Sequence, residues 1–130
     1  PEETVHFHGH AGPFLALGYK AGLYAKDKLK PQHIKDLVCI VRVPLRTPYS
    51  CIIDGIQCSS CCTIGKRNLI LEDSDSMEVR FMRADKELVL RVKKEVLQKI
   101  LNIGLDDGFS LVLNSKIEEL FEVEYNGGFK

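Results

Sequence analysis

Cys51-Ile52-Ile53-Asp54-Gly55-Ile56-Gln57-Cys58-Ser59-Ser60-Cys61-Cys62-Thr63-Ile64-Gly65-Lys66-Arg67-Asn68 carries four of the chain's five cysteines. Ser50 stands where a residue would cap a helix running from Cys51 to about Cys62. On such a helix, residues three, four and seven apart share a face. Cys51, Asp54, Cys58 and either Cys61 or Cys62 then line one side, and Ile52, Ile53 and Ile56 turn toward a core. Thiolates bind zinc, iron or copper(I), and a carboxylate or imidazole can complete the ligand set. One helix face cannot surround a tetrahedral ion, so a second segment must contribute. Any one of these cysteines alone reads equally as a small buried hydrophobe. Cys39, inside an apolar run, reads as core. Cys58-Ser59-Ser60-Cys61 is also a CxxC. A redox CxxC begins a helix, whose dipole lowers the first thiol's pKa, whereas this one falls near a helix end. A zinc ribbon would need a second CxxC, and the chain has none.

The second segment is His6-Phe7-His8-Gly9-His10. Read as a short strand or an extended entry loop, it sends His8 and His10 to the same side, roughly 7 Å apart at the backbone. Gly9 between them permits close backbone approach. His6 reads as peripheral, and His33 as a loop residue after Pro31.

Outward from these two segments the chain alternates element types. Gly12-Pro13 opens a helix with Pro at a tolerated first-turn position. Phe14, Leu17, Ala21 and Tyr24 continue it at helical spacing to about Leu29. Asp36 to Pro44 is a short β-branched run that reads as a buried strand. Asn68–Glu72 and Met77–Ala84 read as strands separated by the turn Asp73-Ser74-Asp75-Ser76, with a further strand over Leu88–Val92. Glu95–Ile103 reads as a helix stopped by Gly104. A last helix over Phe109–Leu120 is open to the alternative that Asp107-Gly108 is a loop. The expected class is α+β, a mixed or antiparallel sheet with packed helices, in a single domain over residues 1–130.

Composition narrows the function. The 18 basic and 18 acidic residues cancel, which argues against nucleic acid as a partner. No apolar run approaches the roughly 18 residues of a membrane span. Pro1-Glu2-Glu3-Thr4 does not read as a signal peptide. Five clustered cysteines do not form the framework of a secreted disulfide scaffold. The expectation is a cytoplasmic protein whose thiols are reduced, metal-bound or redox-active.

Phe7-His8-Gly9-His10-Ala11-Gly12-Pro13, followed by Leu17-Gly18-Tyr19-Lys20-Ala21-Gly22, resembles the first motif of the FmdE family, which takes its name from formylmethanofuran dehydrogenase. That motif runs His-Gly-His-x-Cys-Pro into a helix containing Gly-Tyr. Cys51, Asp54, Gln57, Cys62, Thr63, Gly65, Lys66 and Asn68 resemble its second, and Glu119-Leu120-Phe121-Glu122-Val123 fits the family's closing stretch. The chain departs from the pattern at Gly12, where the family has cysteine, and in the extra Cys58 and Cys61. No cysteine follows Cys62, so the C-terminal zinc finger of some members is not expected.

The resemblance implies the family's α+β core domain. It also implies a divalent metal, zinc, where the His and Cys motifs meet, and a setting in one-carbon metabolism and methanogenesis beside a larger molybdenum or tungsten enzyme. On this reading His8, His10, Cys51 and Cys62 hold the metal. Asp54, Thr63, Lys66 and Asn68 line a cleft for a small anionic or pterin-like ligand, and the domain is a homodimer. The alternatives are a thiol-redox or sensing module using Cys58, Cys61 and Cys62, and a structural component that docks on a larger enzyme. Thr63 to Asn68 is not a phosphate loop: Ser60 stands where that motif has its first Gly, and Arg67 where it has Ser or Thr.

Overall fold

The computed structural model describes residues 2–33 and 35–127. In chain order the elements are α1 (Glu2–His8), α2 (Pro13–Leu29), β1 (Val38–Val43), α3 (Cys51–Ser60), β2 (Leu69–Asp73), β3 (Glu78–Arg83) and β4 (Lys86–Val92). They are followed by α4 (Lys94–Leu101), α5 (Leu105–Asn114), α6 (Ile117–Leu120) and β5 (Phe121–Asn126). The five strands form one mixed sheet in the order β2-β1-β3-β4-β5. The β1–β2 pair is parallel, because α3 carries the chain back across the sheet between them, and the remaining pairs are antiparallel.

Strand alternation separates two faces. Cys39, Val41, Val79, Phe81, Leu88 and Leu90 share the inner face in matched register, and each is essentially unexposed. Helix α2 packs on this face, with α3 and α5 against it. The α2–α3 crossing is unusually close because glycines meet backbone. A Cβ at Gly18 would collide with the Ile52 carbonyl, and one at Gly55 with the Leu15 carbonyl. Ile52, Ile53 and Ile56 fill the space beside that crossing, as helical spacing predicts.

The outer face carries charge. Glu72, Arg42, Glu78 and Arg91 form a register row across four strands. Arg42 pairs with Glu72 at 3.0 Å and Arg91 with Glu78 at 3.1 Å, and Arg91 reaches Glu124 of β5 at 3.2 Å. Arg80 bridges Glu78 and Glu87 at 2.9 and 2.7 Å. No helix of the described residues is long and apolar enough to cross a membrane.

The sequence-predicted elements shift in four places. His6 to His8 is helical, not extended: Glu2 and Glu3 sit at the positive end of α1 and His6 and His8 at its negative end. Ser50 is itself in helical conformation and its hydroxyl caps nothing. Asp107-Gly108 lies inside α5, so the predicted last helix starts at Leu105 and breaks into α5 and α6 at Ser115. Phe121–Asn126, with no strand predicted, alternates and pairs with β4 as an edge.

A histidine cavity beside helix α3

Helix α1 docks on α3 through two residue pairs that match the i, i+4 spacing on each helix. Thr4 bonds Cys58, and His8 Nδ1 donates to Asp54 Oδ2 at 2.5 Å. Thr4 is buried. Asp54 and Cys58 therefore do share a face, as the spacing predicts, but that face receives α1 and does not converge on Cys61 or Cys62.

After His8 the chain turns at Gly9, whose φ of +108° suits glycine. His10 folds back so that its ring lies against that of His8, with centroids 4.6 Å apart. The two histidines thus meet through a turn and not through strand alternation. Cys51, the first residue of α3, completes a polar wall with them. The wall bounds a cavity of about 150 Å³ whose other sides are Gly12 and apolar residues, among them Phe14, Pro48, Ile100, Ile103 and Leu105. No Lys or Arg lines it.

One atom in this wall is out of balance. His8 Nε2 is buried and has no hydrogen-bond partner, the one such side-chain atom among the described residues. An ionised carboxylate can only accept, so the neutral ring carries its proton on Nδ1, and Nε2 presents a lone pair. A buried polar atom left unpaired costs about 1–3 kcal/mol. Carboxylate–histidine pairs of this kind orient metal-ligating imidazoles. Burial pushes the Cys51 thiol pKa up, and the Asp54 carboxylate pushes it the same way.

The remaining site candidates lie elsewhere. Cys51 opens α3 and Cys62 lies beyond its last residue, Ser60, so the whole helix, nine rises of 1.5 Å or about 13 Å of axis, stands between them. Cys62 is fully buried, with its thiol on the Leu37 carbonyl at 3.4 Å. Burial raises its pKa, and it packs in the hydrophobic core. Asn68 accepts from the Thr63 amide at 2.9 Å and donates to the Leu37 carbonyl at 3.2 Å. Thr63 accepts from the Lys66 amide at 3.1 Å. Thr63, Lys66 and Asn68 therefore build a hydrogen-bonded turn that ties the end of α3 to the starts of β1 and β2. They do not line the histidine cavity. Cys39 is core, as predicted, and its pKa is pushed well up by burial. Cys58 is exposed at the last turn of α3, and partial desolvation raises its pKa, which is the opposite of what a redox CxxC needs. His6 and His33 are exposed, as predicted. Among the described residues no group of three His, Cys, Asp or Glu side chains is already gathered around one point as a metal site.

The apolar wall has no local signature in the sequence, because its residues come from α2, the loop before α3 and the α4–α5 connection. The Glu2-Glu3 start of α1 is the local signal for the helix that delivers His8 to Asp54.

Residues 7–123 match a family described as "FmdE, Molybdenum formylmethanofuran dehydrogenase operon". A Syntrophus aciditrophicus protein described as "tungsten formylmethanofuran dehydrogenase subunit e (fmde)-like" superimposes with a TM-score of 0.61 at 20% identity. That superposition covers 97% of this chain and 69% of the other, and at this identity it establishes the fold. An Archaeoglobus fulgidus protein described as "Probable S-adenosyl-L-methionine-binding protein" is 34% identical over 73 residues, which is 52% of this chain. The chain covers only 19% of that relative's length.

Proposed function

The chain belongs to the FmdE family, and from that premise we propose that it is a metal-binding accessory or enzyme-like domain linked to formylmethanofuran dehydrogenase and one-carbon metabolism. Its working site is the cavity between α1, α2 and the start of α3. The observation that carries this reading is His8, a residue of the cavity wall: one ring nitrogen is held by Asp54, and the other is buried and unpaired. Such a nitrogen fits a divalent ion, and His10 and Cys51 are the other donor-bearing residues of the same wall. Zinc suits a mixed imidazole and thiolate set. When bound it would act as a Lewis acid toward a carbonyl.

This chain's residues supply the rest. Asp54 fixes the Nδ1 proton and with it the ring orientation. His10 makes no hydrogen bond among the described residues and follows Gly9, so it is free to reorient toward an ion. S-adenosylmethionine is not carried over from the Archaeoglobus fulgidus relative. A cavity of about 150 Å³ is well below the roughly 300 Å³ where pockets for drug-sized ligands begin.

Metal analysis of protein purified without oxygen tests the reading. Stoichiometric zinc that falls away in His8→Ala and Cys51→Ser is the expected result. Substoichiometric metal that neither substitution alters would overturn it.

A further inference from the structure

The cavity also constrains what is brought to the site. Its volume, about 150 Å³, is that of an engineered apolar cavity that accepts benzene. Apart from His8, His10 and Cys51, its lining is apolar or Gly12, and no cationic side chain reaches it. No cationic side chain is there to pair with an anionic head, and the Asp54 carboxylate on His8 would repel it. His8, one of the lining residues, holds its Nε2 buried and unpaired, and a proton-donating head that reached this lone pair would satisfy the one orphaned atom.

We infer that the small molecule taken by this cavity is neutral, with an apolar body about the size of a single six-membered ring and one proton-donating head. The inference rests on the reading that this cavity is the working site. Its apolar body does not depend on the metal, because with zinc on His8 the same apolar wall still selects it; the proton-donating head belongs to the metal-free protein, where the Nε2 lone pair is open.

Gly12 offers a way to close the cavity without damaging the fold. Its backbone is extended, with φ −144° and ψ 164°, a conformation any residue adopts. A Cβ there would meet His10 Nε2 and Leu105 Cδ2 at 3.6 Å, ordinary contact distance. A larger side chain at this position would therefore grow into the cavity.

Phenol, 1-naphthol and inorganic phosphate, titrated into the full chain at pH 8, test the inference by methyl NMR of Ile100, Ile103 and Leu105. Each titration is run once after chelation and once with zinc added. Phenol is expected to shift these methyls saturably in the chelated protein, with 1-naphthol and phosphate binding at least tenfold more weakly. Gly12→Leu should abolish the phenol shifts while the methyl spectrum of the sheet stays that of the folded protein. Phosphate or 1-naphthol binding as tightly as phenol, phenol shifts that survive Gly12→Leu, or no phenol shifts at all would overturn the inference. Phenol binding in a protein that takes no zinc would uphold the ligand class and overturn the metal reading. Zinc binding without phenol shifts would do the reverse.

Discussion

The outer face of the sheet and the histidine cavity treat polar groups in opposite ways. On the outer face Glu78, only 7% exposed, is met by Arg42, Arg80 and Arg91, and each arginine has a further carboxylate. In the cavity His8 has one partner and one bare nitrogen. A chain that pairs its charges this completely across five strands is not loosely built. The bare nitrogen is therefore a local exception, which is the pattern of a site whose partner comes from outside the chain.

The contrast can be broken first at Asp54. Asp54→Asn should weaken zinc binding about 10–100-fold, the usual cost of losing the group that orients a metal-ligating histidine. An unchanged affinity in a competition assay with a chromogenic chelator would detach Asp54 from the site. On the outer face, Glu78→Ala leaves three arginines without their shared acceptor. They are between 30% and 44% exposed and stay hydrated, so the expected loss is about 1–2 kcal/mol, between surface and buried ion pairs. Urea unfolding measures it. His8→Phe sharpens the contrast. It removes the orphaned nitrogen, and Asp54, a third exposed, returns to water. Metal-free stability should hold or rise by up to about 1 kcal/mol while zinc binding is lost. A fall as large as that of Glu78→Ala would show that His8 is structural.

Acid separates the two regions as well. Burial pushes the Glu78 carboxyl up, but its hydrogen bonds and charge pairing with Arg80 and Arg91 outweigh that and hold it below the usual value. A depressed folded-state pKa means the contribution is present above the unfolded glutamate value of about 4.3 and is lost as pH falls through the lower folded value. Wild-type stability should therefore drop more steeply than that of Glu78→Ala below about pH 4. The smallest effect is ionic strength. Raising salt toward 1 M should cost the wild type a few tenths of a kcal/mol through screening of the exposed pairs, and Glu78→Ala less.

How much is legible in the sequence differs between the same two regions. The β-branched runs and the Pro13 helix start are local signals, so the α+β class and most elements can be read from them. The helical face of Asp54 and Cys58 can be read for the same reason. What packs on that face cannot, because it depends on whether seven residues before Gly9 are helix or strand, and a short segment carries little periodicity. Cys62, Thr63, Lys66 and Asn68 fall outside the cavity for a different reason. Polar residues in a motif can serve hydrogen bonds of the backbone as readily as a ligand, and here Asn68 is buried between Thr63 and Leu37. The outer ion-pair row depends on register, which spacing within single strands does not fix. Gly12→Cys, which restores the family's residue in the cavity lining, should tighten zinc binding if the cavity is the metal site.

The central claim is tested most directly by the imidazole ¹⁵N resonances of His8 in oxygen-free, chelated protein titrated with zinc. Metal on the bare nitrogen predicts a large shift of Nε2 that completes at one equivalent, with Nδ1 still protonated toward Asp54. An Nε2 resonance that does not move at stoichiometric zinc would contradict it.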